Sequence, residues 1–156
     1  MYNKYITIGK FIDKRFFCDS MHSYGINKPV GGLWASLYTP NEKYLSSWHE
    51  FEINEMSVVN SIASTFNLKE NSKVYTINTL DDLLNLPRIK KHDFYKSSEL
   101  DFEEIRKQYD AIFLSEQGQW ETRFSSPISL YGWDVECILI LNYDCIDEKS
   151  IQFIGI

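Results

Sequence analysis

The chain has 156 residues, a formal net charge of −6 and 44% hydrophobic residues, which suits one folded domain. The aromatic share of 15% argues against intrinsic disorder, and the acidic balance argues against broad coating of nucleic acid. No apolar run approaches the roughly 20 residues of a membrane span, and no signal peptide is recognisable, so we expect a cytoplasmic protein without a membrane partner.

The first half of the chain predicts two strands and one helix. β-branched residues predict a strand over 5–11, and a stretch punctuated by Gly and Pro predicts a loop over 18–32. Paired glycines then lead into a short strand at Leu33–Leu37. After a turn, residues 44–51 predict two turns of helix.

The next segments alternate between strand and helix patterns. Val74–Ile77 alternates as a strand, and Thr79 is the predicted N-cap of a helix that ends by residue 86, before a proline. Residues 90–100 are charged and poorly patterned, which predicts a surface excursion. The strongest helix pattern covers 101–109, where acidic residues come first, basic residues last, and the apolar positions share one face.

The last third of the chain predicts a strand at Ala111–Leu114, a long polar loop over 115–132, a strand over 136–141 and an edge strand over 151–154. Short strands outnumber helices and do not alternate strictly with them. This pattern predicts one α+β domain with helices packed on a strongly bent sheet.

Two polar segments that each contain a tryptophan are candidate binding sites. In residues 28–36 the paired glycines would let a ligand approach the backbone, and Trp34 offers a stacking surface near the Ser36 hydroxyl. The alternative is the start of a hairpin with a core tryptophan. In residues 119–127 Arg123 is a candidate phosphate clamp, although a lone loop arginine is more often a surface ion pair.

A third segment carries two carboxylates. Asp134 and Glu136 are two residues apart, so on a strand both would point to the same face. Two carboxylates on one face of a buried strand cost free energy unless they are paired with other groups or have a role in a functional site. The alternative is a solvated strand end. The tryptophans lie in or beside polar segments, which favours a stacking pocket over a random core: Trp34, Trp48, Trp120 and Trp133.

Several common enzyme motifs are missing from the sequence. There is no G-x-S-x-G, no Gly-rich phosphate loop and no H-x-x-x-H pair, so serine hydrolases, nucleotide-loop enzymes and metal hydrolases are set aside. No C-x-x-C occurs among the three cysteines, and we expect reduced thiols, with Cys137 as a small core residue.

The segment Gly32-Leu33-Trp34-Ala35-Ser36, followed by Ser46-Ser47-Trp48, resembles the glycine, aromatic strand and serine-to-aromatic helix of ADP-ribosyltransferases. The similarity is to the poly(ADP-ribose) polymerase and diphtheria-toxin-like branch. Asp134-Val135-Glu136 is similar to the segment that carries the family's catalytic glutamate, with the D-x-E spacing of arginine-modifying toxins. The segments GGLWAS and LYGWD also resemble uncharacterised bacterial and phage proteins.

This resemblance implies an ADP-ribosyltransferase-like domain over residues 1–156 with a split, mostly antiparallel sheet and NAD as co-substrate. Glu136 would stabilise the oxocarbenium-like state as nicotinamide leaves, and Asp134 would face the acceptor. The remaining assignments place NAD-binding groups at Gly32, at Trp34 or Trp48 for stacking, at Ser36 or Ser47 for hydrogen bonds, and at Thr7. Arg123 on the pyrophosphate is a suggestion from its charge alone.

The sequence therefore leaves two main alternatives for the function. One is a mono-ADP-ribosyltransferase that modifies a protein or nucleic-acid acceptor. The first strand offers Thr7 where the family usually has a histidine or arginine, so the alternative is a non-catalytic binding module on the same scaffold. A phage-type inhibitor of a host protein or nucleotide, acting in host defence or counter-defence, would be one example. A hydrolase or structural protein with core tryptophans is the remaining alternative.

Overall fold

The computed structural model of the protein describes residues 3–17, 21, 26–89 and 98–156. Within them the chain forms an α+β domain with seven strands and four α-helices. The strands are β1 Lys4–Ile8, β2 Leu33–Leu37, β3 Ile62–Leu68, β4 Val74–Ile77, β5 Ala111–Leu114, β6 Cys137–Ile140 and β7 Ile146–Gly155. The helices are α1 Ser47–Asn54, α2 Leu80–Leu84, α3 Phe102–Ile105 and α4 Glu116–Thr122, with 3₁₀ turns at Lys14–Phe16 and Tyr143–Cys145.

The strands form one sheet in the order β4-β5-β6-β2-β1-β3-β7. All neighbouring strands run antiparallel except β4 and β5, which are parallel and are connected through α2 and α3. A parallel pair needs such a long crossover, whereas antiparallel neighbours do not. The predicted α+β class and mostly antiparallel sheet are confirmed.

The sheet splits at its centre, between β1 and β2. Pairing between these two fully described strands covers two positions, Tyr5↔Leu37 and Ile6↔Ser36. Beyond them β1 continues along β3, and the beginning of β2 runs along β6. The two strands therefore diverge, and we call the gap between them the fork.

Apolar residues cover both faces of the sheet near β6. Cys137 and Leu139 belong to one core cluster, under α2, α3 and α4, while Ile138 and Ile140 belong to a second cluster on the opposite face. All residues of β6 are buried. Burial on both faces explains the continuous apolar run of this strand.

The predicted helix caps are confirmed, and the helix lengths are not. Thr79 accepts a hydrogen bond from the Asp82 backbone N–H in a capping box, and Asp101 accepts one from Glu104. The predicted helix over 101–109 is short, because α3 ends at Ile105 and turns follow. The acidic first turn suits the helix dipole, and Tyr109, beyond the end of α3, still packs against the same core cluster as Phe102 and Ile105.

Other elements differ from the predictions. β1 ends at residue 8 rather than 11, α1 begins at residue 47 rather than 44, β6 begins at residue 137 rather than 136, and β7 begins at residue 146 rather than 151. β3 was not predicted. The predicted polar loop over 115–132 contains α4, which begins because the Ser115 hydroxyl accepts a hydrogen bond from the Gly118 N–H.

Several predictions fall wholly or partly outside the described residues. They are residues 18–20 and 22–25 of the loop over 18–32, which include Cys18, and most of the surface excursion over 90–100. Cys137 and Cys145 are buried free thiols. Among the described residues, no helix has the length and apolar character needed to cross a membrane.

Candidate functional site

The fork opens into a cleft of about 220 Å³ between the diverging ends of β1 and β2. Helix α1, residues 132–135 and Cys137 contribute its remaining walls, together with Lys10 and Lys28. We call it the fork cleft. It exists because β1 and β2 each keep an outer neighbour in the sheet after they separate from one another.

This geometry brings main-chain groups to the fork cleft. The inner edges of residues 7–8 and 34–35 face each other without pairing, although all four residues stay paired on their outer sides. An unpaired strand edge presents backbone N–H and C=O groups, and these need partners when they are removed from water. A ligand with an amide or similar group can supply such partners.

Tryptophan rings form the aromatic wall of the fork cleft. Trp34 and Trp48 are partly exposed there, and Trp133 is 1% exposed behind Trp34. The rings of Trp34 and Trp133 meet edge to face, with centroids 4.7 Å apart. Trp133 Nε1 donates a hydrogen bond of 2.8 Å to the carbonyl of Asn27, so the supporting ring is fixed. Trp34 is therefore held in place with part of its surface available for stacking.

An ion pair lies at the rim of the fork cleft. Lys28 Nζ lies 3.6 Å from Asp134 Oδ2 and 5.8 Å from the centre of the Trp34 ring. The side chains are 35% and 28% exposed, so a ligand can reach both charges. The backbone of Asp134 is braced from behind, because Gln119 Nε2 and Arg123 Nη1 donate to its carbonyl oxygen.

A second carboxylate, Glu52, lies at the base of the fork cleft and is 8% exposed. Its two oxygens accept hydrogen bonds from Trp48 Nε1 at 2.8 Å and from Asn60 Nδ2 at 2.9 Å. Sequence reasoning missed this residue, because a glutamate on a short helix is usually solvated. The available signal was its spacing, four residues after Trp48 on the same helix face.

Glu136 does not line the fork cleft. Its carbonyl oxygen accepts a hydrogen bond of 3.2 Å from the Ser36 hydroxyl. Burial raises the pKa of the Glu136 carboxyl, and Glu116 adds to the rise. The shared face was predicted for residues on a strand, but Asp134 and Glu136 both precede β6, so the alternation of a strand does not govern them.

Three further predicted site residues also lie elsewhere. Gly32 has φ +78°, and a Cβ there would lie 2.8 Å from the carbonyl oxygen of Ile140, so this glycine serves the close approach of chains. Ser47 lines a separate surface pocket beside α1. Arg123 stacks 5.5 Å from the ring centre of Tyr131 while it braces Asp134, which leaves it outside the cleft walls.

The fork cleft thus gathers five of the predicted site residues: Thr7, Trp34, Ser36, Trp48 and Asp134. Lys10, Lys28 and Glu52 are additions from the structure. Cys137 also lines it, but burial raises the pKa of this thiol far above its ordinary value, which makes it a poor nucleophile. Across the described ranges, no cluster of three or more His, Cys, Asp or Glu residues is placed to hold a metal ion.

No family model, curated protein or solved structure matches the chain. The functional argument therefore depends on the geometry of the fork cleft. That geometry combines aromatic surfaces, unpaired strand edges and charges of both signs, which suits a flat heterocycle that carries polar groups.

Proposed function

We propose that the fork cleft binds NAD and that the chain is a nucleotide-binding module with an ADP-ribosyltransferase-like arrangement. The observation that carries the proposal is the position of Trp34 and Trp48 at the split in the sheet, next to unpaired strand edges. The nicotinamide ring would stack on tryptophan, and its amide would bond to the backbone of the fork. The cationic ring would also be favoured by Asp134 and Glu52.

The size of the cleft limits how much of NAD it can hold. Its volume of about 220 Å³ falls below the ~300–1,000 Å³ of typical ligand pockets. The proposal therefore places the nicotinamide and its ribose in the fork cleft and the phosphates and adenosine outside it. This fits a site that is open at its rim, where Lys28 and Asp134 are partly exposed.

Transfer of ADP-ribose is the second candidate, and Asp134 is the observation that favours it. The bond between the ribose C1′ and the nicotinamide nitrogen breaks with its electron pair on nicotinamide, and a nucleophile of a protein or nucleic-acid acceptor bonds to C1′ and loses its proton. Positive charge develops on the ribose in between. Asp134 is the carboxylate at the rim that would stabilise this charge, whereas Glu136 does not line the cleft.

A titration with NAD tests both candidates, with tryptophan fluorescence and released nicotinamide followed together. We expect saturable quenching of the tryptophan fluorescence. Trp34→Leu should lower the affinity for NAD about tenfold or more, because it removes one stacking surface. Trp120→Leu is the matched control, because Trp120 is 73% exposed and does not line the cleft. A wild-type protein that shows no saturable response to NAD would refute the proposal.

The paired variants Asp134→Asn and Glu136→Gln separate binding from transfer. Nicotinamide release that Asp134→Asn abolishes and Glu136→Gln retains would establish the transferase with Asp134 as the catalytic residue. Quenching without release would establish the binding module. Release that depends on Glu136 instead would contradict the assignment of the acid in the cleft.

A further inference from the structure

A second groove adjoins the fork cleft on the other side of Trp34. It has a volume of about 350 Å³ and is lined by Lys10, Arg15, Pro29, Gly31, Gly32, Leu33 and Trp34. Lys10 and Trp34 line both depressions, so the groove continues from the cleft around the tryptophan ring. We call it the basic groove.

The orientation of Arg15 is fixed by its neighbour two residues earlier. Asp13 Oδ1 accepts a hydrogen bond of 2.8 Å from the Arg15 backbone N–H and caps the 3₁₀ turn Lys14–Phe16. The other oxygen, Asp13 Oδ2, accepts from Arg15 Nε at 2.8 Å and from Nη2 at 2.5 Å, so the two side chains form an ion pair. The Arg15 side chain nevertheless stays 90% exposed. The ion pair holds the guanidinium at the groove, and its Nη1 group can donate to an incoming anion.

Two glycines also line the basic groove. Gly31 and Gly32 have φ of +82° and +78°, a conformation that glycine adopts at little cost. The missing Cβ of Gly32 is taken up by the close approach of Ile140, so Gly31 is the position where an anion can approach the main chain closely. Lys10 and Arg15 give this groove a basic lining in a chain whose net charge is −6.

We infer that the basic groove is the phosphate subsite of the ligand whose heterocycle occupies the fork cleft. This inference rests on the proposed function. The fork cleft holds one end of a dinucleotide, and the groove leads away from it past Trp34, so the pyrophosphate lies on Lys10 and Arg15. The earlier suggestion of Arg123 is replaced, since that guanidinium is engaged with Asp134 and two aromatic rings.

The first test uses inorganic pyrophosphate alone and follows the backbone amide resonances of Gly31 and Gly32 by NMR. We expect saturable shifts, with affinity lowered about fivefold by Lys10→Gln or Arg15→Gln, the loss of one charge-assisted contact. Lys14→Gln is the control of equal charge, because Lys14 on the same turn lies 3.6 Å from Glu148 and does not line the groove. Shifts that Lys14→Gln weakens as much as Arg15→Gln would overturn the inference.

The second test compares NAD with nicotinamide riboside, which lacks phosphate. Arg15→Gln should weaken NAD binding and leave the riboside unchanged, and Lys14→Gln should affect neither. If NAD binds but Arg15→Gln has no effect, the inference fails while the proposed function stands. If pyrophosphate shifts Gly31 and Gly32 but NAD does not bind, the proposed function fails and the subsite stands.

Discussion

The Ser36 hydroxyl donates its hydrogen bond to the main-chain carbonyl of Glu136, at 3.2 Å, and not to the Glu136 carboxylate. Strand β2 thereby fixes the backbone at the point where the chain enters β6. The acid itself is partly buried, and the nearby charge of Glu116 adds to the rise of its pKa. The residue that sequence similarity would make catalytic is therefore held by its backbone next to the fork cleft without lining it.

The first prediction concerns Glu136 and pH. Burial raises its pKa in the folded protein, so the folded state binds this proton more tightly than the unfolded state. Stability is therefore lost as the pH rises from the ordinary carboxyl range through the raised pKa. Glu136→Gln should raise the free energy of unfolding at pH 7 by about 0.5–1 kcal/mol, as removal of an unfavourable charge does.

Urea denaturation at several pH values checks this. The difference between the variant and the wild type should shrink towards acidic pH, where the carboxyl is protonated in both states. Glu116→Gln should also raise the free energy of unfolding at pH 7, by a smaller amount, because the charge of Glu116 adds to the rise of the Glu136 pKa. A Glu136→Gln protein that is less stable at pH 7 would show that the carboxylate has a favourable partner.

The second prediction concerns Glu52, which accepts hydrogen bonds from both Trp48 and Asn60. In Glu52→Gln, one of the two donors would face an NH₂ group instead of an oxygen. We expect the free energy of unfolding to fall by about 1–3 kcal/mol, the usual cost of a buried group left without its partner. Thermal or urea denaturation measures it. The control is Glu50→Gln, since Glu50 is exposed on the same helix, and equal losses in both variants would contradict the role of Glu52.

The third prediction concerns Gly118, which is buried in α4. Alanine is the better helix former by about 1 kcal/mol, so propensity alone predicts that Gly118→Ala stabilises. A Cβ there would lie 2.1 Å from the backbone oxygen of Ile77, which cannot move freely. The clash should dominate and lower the free energy of unfolding by about 1–3 kcal/mol, as other overpacked core substitutions do.

Gln117→Ala is the natural comparison for that experiment. Gln117 is exposed on the neighbouring position of α4, and its substitution should leave stability nearly unchanged. Denaturant titrations of both variants under identical conditions are sufficient. A Gly118→Ala protein as stable as the wild type would mean that α4 does not pack against the end of β4 as described.

Helix α4 also shows where sequence reasoning is sufficient and where it fails. Strands β2, β4 and β5 have the predicted bounds, because a few consecutive apolar residues between turn signals define them locally. In α4, Gly118 weakens the helix pattern in the sequence. A glycine is needed at this position because the carbonyl of Ile77, which is distant in sequence, lies where a Cβ would be. The local pattern contains no sign of that neighbour.

The same limit applies to the candidate site. Trp34 and Trp48 could be predicted, because large aromatic residues in polar surroundings are conspicuous. Lys28 and Glu52 could not, since each looks solvated until the fork brings it beside a tryptophan. The fork itself depends on β1 and β2 keeping different outer neighbours, β3 and β6, which are contributed by remote parts of the chain.

The fourth prediction distinguishes the tryptophans by their accessibility. Trp120 is 73% exposed and Trp133 is 1% exposed, with Trp34 and Trp48 between them. Iodide should quench Trp120 most strongly, and Trp120→Phe should remove most of the easily quenched emission. Stern–Volmer plots of the wild type and the variant check this. Retention of the quenchable fraction in Trp120→Phe would contradict the exposed position of α4's outer face.

The narrow seam between β1 and β2 has a mechanical consequence. Two residue pairs connect the four strands on one side of the fork to the three on the other within the sheet. A change in the angle between the two halves must bend the chain at this seam, because the rest of each half is braced by several paired strands. A ligand bound in the fork would push on both halves of the sheet, which would rotate about the β1–β2 pairing. A small rotation at this position gives larger displacements at the outer strands, β4 and β7.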